Sequence, residues 1–298
     1  MIKVEEVSKG YDKIMVDHKI DMQVKRGEIH GLIGANGSGK TTLMKCLAGI
    51  YRPDKGRVTY DGEIIYDSPK VKQRVAYVSD NQDFLSIYSV SGMLKLYQAF
   101  YENFSMEKFD ELNKRFLLNR KKGVAHLSKG QKTKLAFMLA IAQGADYLIM
   151  DEPESGLDAE SRMMFREILI DEVEKRQLGV VISSHNLSGI ERLCDSLTVL
   201  DRGKVIRQGN LNELMEGVQK WQGVWNDPNV PEKLTEPKII VCSRIGKLTE
   251  FYTIGDRKRN LELLQKSGIE EAEGKQITLE EVYCLIRQGK GEAGYEGL

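Results

Sequence analysis

The stretch GLIGANGSGKTTLMKCLAGI, Gly31 to Ile50, decides the fold. Glycines 31, 34, 37 and 39 precede Lys40, Thr41 and Thr42, and the segment then runs on with apolar residues at helical spacing. Gly34, Gly39, Lys40 and Thr41 satisfy the pattern G-x-x-x-x-G-K-[ST]. They follow an apolar, strand-like run from Glu28 to Ile33 and open a helix, which is the context this pattern requires. Glycines let the backbone N–H groups from Gly34 through Ala35, Asn36, Gly37, Ser38 and Gly39 turn inward around an anion, and the new helix adds its positive end. Lys40 reaches β- and γ-phosphates as a point charge, and Thr41, followed by Thr42, places a hydroxyl for a bridging Mg²⁺. The expected ligand is a nucleotide.

Composition sets the limits around this loop. At 298 residues the chain suits one large α/β domain or two ordinary ones. Lys+Arg and Asp+Glu both number 44, so no global charge draws it to nucleic acid or an anionic membrane, and phosphate binding must be local. Cys46, Cys194, Cys242 and Cys284 have no metal-ligand or redox spacing, which fits a reducing compartment. No apolar run approaches the roughly 18 residues of a membrane span, and the N-terminus has no signal-like apolar region.

Along the chain, Ile2 to Val7 alternate apolar and charged residues, and GRVTYDGEII carries Asp61-Gly62 between β-prone segments, so antiparallel strands joined by a tight turn are expected. Val90 to Leu118 is helical, with Met106, Phe109, Leu112 and Phe116 at three- and four-residue steps. YLIMD and GVVISSH flank a charged helical pattern from Ala159 to Gln177, which implies a parallel crossover. LTVLDRGKVIRQG reads as a hairpin around Arg202-Gly203. Trp221 to Pro237 reads as loop, KIIVCS as strand and ITLEEVYCLIRQ as helix, with the last eight residues frayed. The fold class is therefore α/β: a P-loop NTPase core with a mixed, mainly parallel sheet and an antiparallel N-terminal part. A helical insert spans about 84–144, within a first domain of residues 1–209. Residues 210–298 form an appendage, either a small α+β subdomain or a packing tail.

Two further motifs are suited to phosphate. YLIMDEPESGLD carries Asp151 to a strand end, where it can hold magnesium through water, and places Glu152 next as candidate general base. In HLSKGQKTKLAF, Ser128, Gly130 and Gln131 start a helix, making a second phosphate-type N-terminus. With these motifs in this order, the segment from Met1 to Gly209 resembles the ATP-binding cassette family, whose signature LSGGQ stands here as Leu127-Ser128-Lys129-Gly130-Gln131.

The resemblance implies two ATP molecules sandwiched between two head-to-tail subunits, homo- or heterodimeric, with Ser128 capping the γ-phosphate held by the partner subunit. Lys129 is expected to face outward and add charge near the nucleotide. Tyr11 matches the aromatic that stacks on adenine, although a tyrosine there also suits core or surface. Asp158 matches the inter-subunit loop, and His185 the switch histidine that contacts the γ-phosphate. The family places a glutamine at the position that gapless alignment gives to Asp80, with Gln82 two residues on, and both remain candidates for the metal. Phe84, Tyr88, Tyr97, Phe100, Tyr101 and Phe104 either fill the insert or, around Phe84 to Tyr88, dock a coupling helix of a membrane permease.

The function implied is that of a transporter ATPase subunit, peripheral on the cytoplasmic face of the membrane. Export is implied by the Ser-Asp-Asn-Gln variant and MEKFDELNKRF. A non-transport ATPase acting on ribosomes or DNA is the alternative, but only one cassette is present, about 110 residues separate Thr41 from Asp151, and no basic patch predicts a nucleic-acid partner. A regulator without turnover is disfavoured by the intact set Lys40, Asp151, Glu152 and His185.

Overall fold

The computed structural model describes residues 1–11, 14–82, 84, 86–225 and 239–288, in two compact units, Met1–Gln208 and Gly209–Leu298. In the first unit, β1 (Ile2–Tyr11), β2 (Ile14–Val24), β4 (Lys55–Tyr60) and β5 (Glu63–Ile64) form an antiparallel sheet in the order β2-β1-β4-β5. Asp61 and Gly62, both at positive φ, make the expected tight turn.

The central sheet takes β3 (Ile29–Gly34), β6 (Val75–Val78), β7 (Tyr147–Asp151), β8 (Gly179–Ser183), β9 (Ser196–Asp201) and β10 (Lys204–Asn210) in the order β10-β9-β3-β8-β7-β6. β7, β8 and β9 are buried at every residue, as expected of parallel strands covered on both faces. The β9–β10 hairpin turns at Arg202 and Gly203, φ 47° and 72°.

α1 (Lys40–Leu47) packs Leu43, Met44 and Leu47 into a core shared by both sheets, among Val4, Ile20, Val58, Ile149 and Val181. A polar seam ties the sheets at their rim. Arg26 donates to Asp61 and Asp146, each at 2.9 Å, and Tyr147 donates to Asp61 at 2.7 Å. α2 (Pro69–Gln73) leads into β6.

The helical part contains α3 (Val90–Phe100), α4 (Met106–Phe116) and α5 (Lys129–Ala142). The helical pattern of 90–118 is thus two helices, because Ser105 caps a new one by accepting from the Lys108 amide. Tyr97 packs on Tyr101 and Phe104 at 5.2 and 6.0 Å, whereas Phe100 is 65% exposed. α6 (Ala159–Arg176) bridges the parallel neighbours β7 and β8, and α7 (Leu187–Leu193) follows β8.

The second unit is an antiparallel sheet of β11 (Val218–Trp225), β12 (Ile239–Ile245), β13 (Leu248–Ile254) and β14 (Ile269–Lys275), in the order β12-β13-β11-β14. With them stand α8 (Leu211–Glu216), α9 (Arg257–Lys266) and α10 (Leu279–Gln288). Trp221 and Trp225 pack with Phe251 and Leu264 of α9, while Val218 and Tyr252 pack with Val282 and Leu285 of α10. The expected loop from Trp221 is therefore corrected for Trp221–Trp225, which form a strand. Burial alternates there, and the Trp221 indole donates to Thr253 at 2.8 Å. Residues 226–237 and the last eight lie outside the described residues.

Within the first unit, Asp17 of β2 lies under the glycine loop. It is wholly buried, and neither carboxylate oxygen has a hydrogen-bond partner among the described residues. A Cβ on Gly39, whose φ is 107°, would stand 2.1 Å from its Oδ1, so both conformation and space demand glycine there. Burial pushes the Asp17 pKa from 3.8 up to about 7. Native Asp17 therefore keeps its proton where the unfolded chain has lost it, so its stabilising contribution is complete below about pH 4 and disappears as pH rises through 7. Wild type is expected to lose up to about 4 kcal/mol between pH 4 and 8 that Asp17→Asn does not lose. Parallel stability curves from denaturant titrations of the two proteins would refute this.

Candidate functional site

The loop between β3 and α1 is built for an anion. Gly37 and Gly39 have φ of 76° and 107°, and α1 begins without a side-chain cap, which leaves its first N–H groups to a ligand. Asn36 and Gly37 are exposed, Ala35 half-buried, and Ser38 buried, with its amide donating to the Ala35 carbonyl at 3.1 Å. Gly34 also needs glycine, since a Cβ would meet the Leu200 carbonyl at 2.3 Å. Lys40 is nearly buried. Its ammonium donates to the carbonyls of Gly34 at 2.8 Å and Ala35 at 3.1 Å, spanning the loop from within. Burial lowers its pKa, and the carboxylates of Glu152 and Asp151 oppose that shift.

Those carboxylates stand at the end of β7, beside its parallel neighbour β8. Asp151 pairs in register with Ser183, whose hydroxyl donates to Asp151 Oδ1 at 2.6 Å. The Glu152 amide donates to the Ser183 hydroxyl at 3.1 Å and to its carbonyl at 3.2 Å. Glu152 is held at φ 49°, a left-handed conformation that a non-glycine residue adopts at a cost and that clusters at functional positions. Its Oε2 lies 2.7 Å from His185 Nδ1, and the His185 side chain is 73% exposed. Sequence reasoning missed Ser183. Its only signal was the serine pair ending VVISS, because its contact with Asp151 crosses strands.

A cavity of about 600 Å³ opens beside the loop, walled by Thr41, Asp151, Ser79, Asp80, Gln82 and Phe84 among others. The oxygen donors Thr41, Asp151 and Asp80 are the hard ligands that suit Mg²⁺. Among the described residues no group of three or more His, Cys, Asp or Glu converges as a metal cage. The Gln82 amide turns back onto the Ser79 carbonyl, while the Asp80 carboxylate lies 3.4 Å from Lys129.

The second helix start is a capping box. The Ser128 hydroxyl accepts from the Gln131 amide, and Gln131 Oε1 accepts from the Ser128 amide, both at 3.2 Å; Lys122 also donates to Gln131 at 3.0 Å. Gln131 is thus engaged in shaping the loop, while Ser128 is exposed. Gly130 abuts the Gly156 carbonyl, 2.5 Å from an added Cβ. Lys129 is exposed, as expected, and donates to the Ser155 hydroxyl at 2.7 Å. Asp158 caps α6 by accepting from the Ser161 amide at 2.8 Å, and that bond lowers its pKa. Tyr11, 40% exposed, meets Tyr51 edge-on at 5.8 Å, with its hydroxyl 3.5 Å from Thr42. Arg166 forks onto Glu154 at 2.6 and 2.8 Å, another anchor the sequence did not disclose.

The ABC transporter family profile matches residues 18–155. The ABC transporter ATP-binding protein YtrB of Bacillus subtilis (strain 168) is 31% identical over 295 residues, covering 97% of this chain and 99% of that protein. A solved ATP-binding subunit of an ABC transporter superposes with a TM-score of 0.67 at 29% identity, covering 72% of this chain and 91% of that one. The dimeric cassette MJ0796 shares the fold, with a TM-score of 0.65 at 22% identity, over 71% of this chain and 99% of its own. With this likeness along nearly its whole length, the chain belongs to the ABC transporter family, as an ATP-binding ATPase subunit of that family.

Proposed function

We propose that the chain hydrolyses ATP between two head-to-tail subunits and so drives a separate membrane permease, in the direction of export. The observation that carries this reading is the convergence of Lys40, Asp151, Glu152 and His185 on one edge of the central sheet, next to the uncapped start of α1. Inward amides and Lys40 hold the β- and γ-phosphates, with Tyr11 beside the base. When bound, Mg²⁺, held by Thr41 and Asp151, neutralises charge developing on the phosphates. Of the two loop candidates, Asp80 is the better placed for the metal, because Gln82 is already folded onto Ser79.

Glu152 takes a proton from the attacking water as its oxygen bonds to the γ-phosphorus. The bond to the β–γ bridging oxygen breaks, and ADP and phosphate leave. His185 holds the Glu152 carboxylate in place through the 2.7 Å contact. Ser128 is exposed at the start of α5, as a group must be that serves the nucleotide of another subunit.

Closing such a pair requires about 5.5 kcal/mol of differential binding to move from 1:99 to 99:1. Hydrogen bonds to charged groups supply roughly 1.5–3 kcal/mol each, so a few per site suffice, and loss of the γ-phosphate removes them. Among the described residues no helix is long and apolar enough to cross a membrane, so the path for the substrate is assigned to the permease, with this subunit peripheral on its cytoplasmic side.

Lys40→Ala is expected to weaken equilibrium binding of a fluorescent ATP analogue at least about 100-fold, from two lost charge-assisted bonds; unchanged affinity would contradict the cradle. Glu152→Gln is expected to keep that affinity while turnover falls about 10²- to 10⁴-fold, and rapid phosphate release by the variant would remove Glu152 as the base.

A further inference from the structure

Two positions depart from the pattern that the sequence resembles, Asp80 and Lys129, and the structure brings them together. Lys129 Nζ lies 3.4 Å from Asp80 Oδ1 and donates to Ser155 Oγ at 2.7 Å. Its aliphatic stem lies over Gly156, with Cγ and Cδ 3.1 and 3.3 Å from where a Cβ would stand. Gly130 presses against the same Gly156, and the Thr133 hydroxyl reaches the Ser155 carbonyl at 3.4 Å. One side chain thus joins the loop at 79–82, the start of α5 and the turn that follows Glu152.

The pair sits in water, with side chains 55% and 42% exposed, so it is weak and readily exchanged. Asp80 also walls the cavity shared by Thr41 and Asp151, so its carboxylate has two competing destinations. A cation at the cavity attracts a carboxylate at close range in a less solvated setting, where the Coulomb gain is larger than at the surface.

We propose that Lys129 is a positioning residue that holds Asp80 against the signature loop in competition with Mg·ATP, which draws Asp80 to its own side. This rests on the nucleotide-binding reading given above. Removing the clamp stiffens nothing and frees Asp80, so magnesium-dependent nucleotide binding improves while binding without magnesium stays the same. Freed of Asp80, the 155–158 turn and the loop at 79–82 also lose mutual restraint in the nucleotide-free protein.

The test uses Lys129→Met, which keeps the stem over Gly156, together with Asp80→Asn, the double variant and Lys129→Arg. Titration with a fluorescent ATP analogue is expected to show about two- to fivefold tighter binding by Lys129→Met in the presence of Mg²⁺ only, with the gain erased at about 1 M salt. On the Asp80→Asn background Lys129→Met is expected to add nothing, and Lys129→Arg to behave as wild type. Hydrogen exchange without nucleotide is expected to quicken at residues 79–82 in Lys129→Met and Asp80→Asn alike, and at residues 155–157 in Lys129→Met, which also loses the bond to Ser155. An equal effect of Lys129→Met with Asn at position 80, or an effect without Mg²⁺, or unchanged exchange, would overturn the clamp while leaving ATP binding standing. Wild-type protein that binds no nucleotide would overturn both.

Discussion

The structure depends on one constraint: a strand must end so that its backbone amides point at an anion, with no side chain in the way. Gly34 and Gly39 each lie where a Cβ would strike a neighbour, at Leu200 and Asp17, so the loop is packed from behind as well as bent from within. Lys40 then braces the loop by bonding its own carbonyls. Burial disfavours this ammonium, and the acids at the end of β7 answer that cost electrostatically. Phosphate-binding geometry and the placement of Asp151 and Glu152 are thus two sides of one arrangement.

Parallel pairing makes that arrangement rigid. β7 and β8 run in register, so Ser183 faces Asp151 and bonds both its carboxylate and the Glu152 amide. Glu152 is held in a left-handed conformation by that pair of bonds, which aims its carboxylate at His185. The strain is local and is borne where β7 and β8 pair, two strands buried at every residue. The loops at Ser128 and Asp158 are fixed by their own caps.

Most of the site was legible because its chemistry is local. Glycines before Lys40, an apolar strand ending in Asp151-Glu152, and serine before Lys129-Gly130 each specify their own turn. Contacts across elements were not legible. Ser183 acts from the adjacent strand, Arg166 reaches Glu154 from the middle of α6, and Asp17 lies beneath a loop more than twenty residues away. Lys129 is exposed, as read, but its partners Ser155 and Asp80 are distant in sequence. In the second unit, Trp221 to Trp225 was hidden by the prolines that follow it, although the strand pairs on both sides, with β13 and β14. Trp221 and Trp225, four residues apart and so on one face of a strand, were the signal available.

The central claim is that triphosphate is gripped by Lys40 of one subunit and Ser128 of another. A crystal structure of Glu152→Gln grown with ATP and Mg²⁺ measures it directly. The account predicts a head-to-tail pair with each Ser128 hydroxyl within hydrogen-bonding distance of the γ-phosphate bound by the opposite loop. Nucleotide bound to single subunits, with Ser128 remote from every phosphate and a monomer in solution, would contradict it.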